Sequence, residues 1–226
     1  MLLFTSSYSH LLKSISLLQK IKICHFDIKA QNIVYDTEKS LPIMIDFGLS
    51  INFDTLNTKE LYNYFYIYEP MYYIWPLEVH LINYILHVNS EIGEKDMRKL
   101  AKDYVSHNIV LRAFSPAFQK KFEAECYYEL SKYIGKDSDA VIQRILKYWH
   151  TWDNYALSLL YIKLLYYLIR NDSGKIIKNE FVSFFIELCL NNVHPNPKRR
   201  LSVQDTIKSF NLFLYNEQVD KESVFE

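Results

Sequence analysis

Glycine is nearly missing from this chain: among 226 residues it stands only at Gly48, Gly93, Gly135 and Gly174. A backbone loop that cradles phosphates needs several glycines close together, so no such loop can be built from these residues. Cysteine is scarce too. Cys24, Cys126 and Cys189 are odd in number, far apart and not in metal-ligand spacing, which reads as reduced core thiols of an intracellular protein, Cys24 included. An excess of either charge is lacking, since 26 basic residues balance 26 acidic ones. Without a global field, neither nucleic acid nor an anionic membrane is expected as a partner, and recognition must be local. Long apolar runs are lacking as well. The longest, Ala156 to Ile169, is interrupted by Lys163 and falls short of the ~20 residues a membrane span needs. The Met1-Leu2-Leu3-Phe4 start is too short for a signal sequence. No Gly/Ser-rich or Pro-rich break divides the chain, so one domain burying roughly 70% of its unfolded surface is expected.

What is present is concentrated in residues 23–50. Cys24-His25-Phe26-Asp27-Ile28-Lys29-Ala30-Gln31-Asn32 is followed by Ile33-Val34-Tyr35, a polar turn, and Ile43-Met44-Ile45-Asp46-Phe47-Gly48. Two short β-branched runs around a polar turn predict a hairpin that returns Asp46 beside Asp27 and Asn32. Phosphoryl transfer asks little covalent work of a protein; it needs metal ions on the phosphates, a base near the attacking hydroxyl and a cation near the moving group. Asp27 can be that base, and Asn32 and Asp46 offer the oxygen donors that Mg²⁺ selects.

This stretch resembles the catalytic loop and metal-binding motif of eukaryotic-type serine/threonine protein kinases. The resemblance implies Asp27 as catalytic base, Lys29 as the cation at the transferred phosphate of ATP, and Asn32 and Asp46 as Mg²⁺ ligands. It makes His25 a structural residue. Phe26 departs from the pattern, standing where most members carry an Arg that pairs with a phosphorylated activation-loop residue. A chain with Phe there is expected not to use that switch.

The rest of the chain extends the resemblance over residues 9–226. Leu11, Leu12, Ile15, Leu18 and Ile21 recur at helical spacing from Ser9, predicting one buried stripe under the catalytic loop. Ser50 to Glu60 reads as the activation loop. The tyrosines between Tyr62 and Tyr73 read mostly as a packed aromatic wall. Trp75-Pro76-Leu77-Glu78 is similar to the family's Ala-Pro-Glu element, and Asn196-Pro197-Lys198-Arg199-Arg200 to its closing Asp-Pro-x-x-Arg signature. By that resemblance Glu78 pairs with Arg200, and Asp153 accepts hydrogen bonds from the catalytic-loop backbone, or favours its own helix N-terminus. Residues 80–150 look like an inserted helical subdomain or an enlarged core cover. Ser202 and Asp205 predict the cap of a last helix ending near Leu214, with a frayed tail after Asn216.

The fold expected is therefore mainly α, a kinase-like C-terminal lobe with one short β-hairpin at the catalytic site. The N-terminal lobe, with its glycine-rich loop and strand lysine, is expected to be missing from this chain and supplied by a longer one. The chain would then be a fragment, the product of a split or decayed gene, or a binding module. The aromatic, glycine-poor character and the insertion resemble kinases of large DNA viruses. ATP, Mg²⁺ and a protein substrate are the implied partners. Two alternatives remain: a small-molecule phosphotransferase of the aminoglycoside or choline kinase type, against which Lys29, Asp46-Phe47-Gly48 and the Arg200 signature speak, and a non-catalytic pseudokinase scaffold.

Overall fold

The computed structural model describes residues 2–171 and 180–223. They are mainly helical, with eight α-helices and two two-stranded antiparallel sheets among the described residues. Helix α1 (Leu2–Lys20) precedes strand β1 (Ile23–Cys24), and the hairpin β2 (Ile33–Asp36) and β3 (Leu41–Met44) follows. Strand β4 (Ile51–Asn52) returns to pair with β1. The remaining chain supplies α2 (Leu77–His87), α3 (Glu94–His107), α4 (Pro116–Ser131), α5 (Ser138–Leu146), α6 (Trp152–Asn171), α7 (Glu180–Asn192) and α8 (Val203–Ser223).

Helix α6 is the hub. Every residue from Trp152 to Ile162 is buried, and the polar ones among them, Asp153, Asn154 and Ser158, are hydrogen-bonded. Helix α7 packs along it, and α1 and α8 cross nearby. Tyr8 of α1 meets Phe185 of α7 at 4.9 Å and Phe210 of α8 at 5.0 Å, both edge to face. Such aromatic pairs contribute about 0.5–1.5 kcal/mol beyond their buried area.

Helix α1 begins at Leu2 rather than Ser9, two turns earlier than its apolar spacing predicts. Its stripe buries Leu11, Leu12 and Ile15, but Ile21 is 59% exposed. The reason is local: the helix stops at Lys20, and Lys22 adopts a left-handed conformation (φ 57°) that turns the chain toward β1. At the other end, Ser202 caps α8 by accepting from the Asp205 amide at 3.0 Å. That helix runs to Ser223, beyond the expected end at Leu214.

The segment 80–150 is helical throughout its long elements and has no core of its own. Helix α2 buries nine consecutive residues from Leu77 to Ile85. Met97, Leu100 and Tyr104 of α3, Phe122 and Cys126 of α4, and Ile142 and Ile145 of α5 belong to the same apolar cluster as α6. Ser115 and Asp137 cap α4 and α5 by accepting from Phe118 and Ala140 amides. No helix among the described residues is long and apolar enough to cross a membrane.

Candidate active site

The loop between β1 and the hairpin is held from below by one carboxylate. Asp153, in the first turn of α6 and 2% exposed, accepts from the His25 amide at 2.7 Å, the Phe26 amide at 2.9 Å and the Cys24 thiol at 3.3 Å. Burial pushes the Asp153 carboxyl up, and the amides of His25 and Phe26 pull it back down. These bonds fix Phe26 in a left-handed conformation (φ 66°), unfavourable by about 1–2 kcal/mol for a residue with a Cβ. The geometry drives the Phe26 ring into the core, stacked on Trp75 at 5.1 Å and close to Trp152 and Phe65. The Phe26 carbonyl accepts from the Trp75 indole at 3.1 Å. An aromatic ring at this position therefore faces packed side chains, where an Arg would reach for a charge.

With Phe26 turned inward, the next residue stands over the loop. Asp27 is 3% exposed, and its Oδ2 accepts from Lys29 Nζ and from Asn32 Nδ2, each at 2.8 Å. Asn32 sits at the end of a short 3₁₀ turn, Ala30–Asn32, and spends its amide hydrogens on the Asp27 side chain and, at 3.0 Å, on the Asp27 carbonyl. That leaves Asn32 Oδ1 as the atom able to face a cation.

The hairpin pairs Ile33 with Met44 and Asp36 with Leu41. Its return is extended by Ile45, whose amide donates to the Asn32 carbonyl at 2.9 Å, bringing Asp46 directly after the residue bonded to Asn32. His25, fully buried, clamps the same point: its Nε2 donates to the Ile45 carbonyl at 3.1 Å, and its ring lies 4.6 Å from that of Phe47. Asp46 is exposed, has φ 62°, and accepts from the Gly48 amide at 3.2 Å through Oδ1. A Cβ on Gly48 would meet that oxygen at 3.1 Å, a close contact with the Asp46 side chain. The amide oxygen of Asn32 and the carboxylate of Asp46 are hard donors, and two such ligands completed by phosphate oxygens and water match the way Mg²⁺ is usually held. No group of three His, Cys, Asp or Glu converges as a self-sufficient metal cage among the described residues.

Tyr72 is the residue the sequence did not single out. Its hydroxyl donates to Asp27 Oδ1 and accepts from Lys29 Nζ at 3.2 Å. Burial, the hydrogen bond to Asp27 and the charges of Asp27 and Asp46 all push the phenol up, so it keeps its proton. In sequence it is one tyrosine in a run, and nothing in spacing sets it apart. The aromatic wall is also only partial: Tyr64, Tyr68, Tyr72 and Tyr73 pack against the core, whereas Tyr62 and Tyr66 are 57% and 50% exposed.

The platform beside the loop is tied down by an ion pair. Arg200 Nη1 and Nη2 donate to the two oxygens of Glu78 at 2.6 and 2.8 Å, and the Trp152 indole donates to Glu78 Oε1 at 3.1 Å. Arg200 also donates to the His194 carbonyl and the Thr151 hydroxyl. A cleft of about 360 Å³ lined by Lys29, Gln31, Met71, Tyr72, Tyr73 and Ile74 opens next to Asp27. A groove of about 570 Å³ between α1, the hairpin and α6 is apolar and has no acidic or basic side chain in its lining.

All eight residues singled out from sequence thus fall into two connected groups: Asp27, Lys29, Asn32, His25 and Asp46 around the loop, with Asp153 beneath, and Glu78 with Arg200 behind it. No protein-family model matches the chain, and no curated protein does either.

Proposed function

We infer that this chain is the large lobe of a serine/threonine protein kinase, which transfers the γ-phosphoryl group of ATP to a protein hydroxyl. The observation that carries the reading is the shared carboxylate: Asp27 is buried, held by Asn32 and paired with Lys29, while the hairpin returns Asp46 alongside Asn32. In this mechanism Asp27 orients the acceptor hydroxyl and takes its proton. Lys29 neutralises charge on the group in flight. Asn32 Oδ1 and the Asp46 carboxylate would hold Mg²⁺, which would supply positive charge against the group being transferred.

A second lobe, carrying a glycine-rich loop and a lysine, would cover the nucleotide. Val34 and Ile43 face each other across the hairpin and are 44% and 40% exposed, with Ile45 and Phe47 also open beside Asp46. That apolar surface suits a covering lobe. Three buried free thiols support a reducing, intracellular setting.

The non-catalytic scaffold reading also has an observation in its favour, because Tyr72 already occupies the second oxygen of Asp27. The chain alone should bind Mg²⁺-ATP weakly and turn over little; joined to the lobe that covers the nucleotide and given Mg²⁺-ATP and a mixture of peptide acceptors, it separates the readings. Transfer that falls by on the order of 10²–10⁴ in Asp27→Asn supports the kinase. Transfer to a small alcohol but to no peptide favours a small-molecule phosphotransferase, and biological function that survives the exchange favours the scaffold.

A further inference from the structure

Every fourth residue at the start of α1 and in the second half of α6 is turned to one groove. Leu3, Ser7 and Leu11 form one wall and Leu160, Leu164 and Leu168 the other, and Ile33 and Pro42 of the hairpin complete it. Residues four apart stand in a row on a helix, so each wall is a ridge that advances eight positions, roughly 12 Å. The inner residues, Leu11 and Leu160, are buried, whereas Leu3, Leu164 and Leu168 are 58%, 38% and 49% exposed. The result is a trough of about 570 Å³ with a closed end and an open mouth. Cavities of that size hold a single small ligand.

What it can hold follows from what the lining lacks. No acidic or basic side chain lines it, and Ser7 and tyrosines are its only polar side chains. A phosphate or a charged peptide side chain would be desolvated there without a counter-charge. An extended peptide would bury backbone amides with too few partners. A second copy of the chain fits poorly, because a two-fold contact sets the same surface against itself and two troughs face to face leave a void. A hydrocarbon chain has neither fault. With an advance of about 1.25 Å per C–C bond, the trough takes about ten carbons end to end. We propose that this groove binds one long-chain fatty acid, its hydrocarbon tail along the trough and its carboxylate in water at the mouth. The site is independent of the kinase reading, since none of the residues placed around Asp27 lines it.

The test titrates the delipidated full chain with saturated fatty acids of eight to sixteen carbons by calorimetry and counts bound molecules by native mass spectrometry. The expected result is one acid per chain, with affinity rising about fourfold per added CH₂ up to dodecanoic acid and levelling beyond it, where the trough is full. Leu164→Asp, which sets a carboxylate in the wall, should weaken dodecanoic acid at least about tenfold. Leu164→Trp, which fills the trough without charge, should do the same. Tyr166→Asp, exposed on the same helix but outside the groove, should leave affinity within about twofold. No saturable binding, affinity that keeps rising with chain length, or equal losses at positions 164 and 166 overturns the proposal. So does binding to phosphatidylcholine vesicles without binding of the free acid, which marks a membrane contact. A dimer in sedimentation that Leu164→Asp separates marks a second copy as the occupant and overturns it too.

Discussion

Asp153 and Phe26 stand 127 residues apart and share one hydrogen bond, the Phe26 amide donating to the carboxylate at 2.9 Å. That bond, with its neighbour at His25, lets a bulky residue hold a left-handed conformation and sets Asp27 above the loop. Bonds from neutral donors to a buried carboxylate are worth about 1.5–3 kcal/mol each. Asp153→Ala should therefore lose at least about 2 kcal/mol in urea unfolding, with Asp153→Asn in between because it keeps one acceptor oxygen. A change below about 0.5 kcal/mol, the size of an ordinary surface substitution, would contradict the anchor.

Glu78 and Arg200 form a buried pair with both oxygens and both terminal nitrogens engaged. Removing one partner strands the other charge, so Glu78→Gln or Arg200→Met should each cost about 3–5 kcal/mol. The double variant should cost much less than their sum, because it leaves no unmatched ion. A double-mutant cycle in guanidinium reads this, and additive losses would show that the two are not coupled.

His80 gives the fold a pH dependence. Burial lowers it to about 4, against which hydrogen bonds with the Trp75 and Tyr72 backbone act, and its Nε2 finds no partner among the described residues. The unfolded chain takes up the proton near pH 6.5 while the folded chain refuses it until about 4. Stability is thus full above the unfolded value and is lost as pH falls through that window, by about 3 kcal/mol in all. His150 and His194, also lowered chiefly by burial, add in the same direction. Denaturant midpoints from pH 7 to pH 4 should show the decline, and His80→Gln should flatten it.

Ser50, Thr55 and Thr58 are the only serine and threonine residues between Leu49 and Tyr73. Since the Phe26 ring is stacked on Trp75 inside the core, the loop offers no Arg at that position to receive a phosphate on any of them. If the kinase reading holds, changing all three to Ala should leave peptide phosphorylation within about twofold of the parent, a shift of roughly 0.4 kcal/mol in barrier. A tenfold loss would contradict this.

How far the sequence reached depended on the range of each interaction. The β2–β3 hairpin was legible because Ile33-Val34 and Ile43-Met44 flank a polar turn, and the register that results is local. The kinase resemblance pointed to Asp153 beneath the loop and to the Glu78–Arg200 pair, although these contacts span more than 100 residues. What stayed hidden lacked any pattern. Strands β1 and β4 have two residues each, too few for a period. The exposure of Ile21 turns on one backbone angle at Lys22. Tyr72 meets Asp27 across 45 positions from within a run of like residues, so only coordinates distinguish it.

Cys24 offers a use for the same anchor. Its thiol points at Asp153 and is 1% exposed, and burial followed by the Asp153 charge pushes it well up from the ordinary thiol range. A sulfur that is neither ionised nor reachable ignores alkylating reagents for as long as β1 stays seated. The rate at which Cys24 is modified, read on its own tryptic peptide, therefore works as a clock for how often the loop after β1 lifts off helix α6.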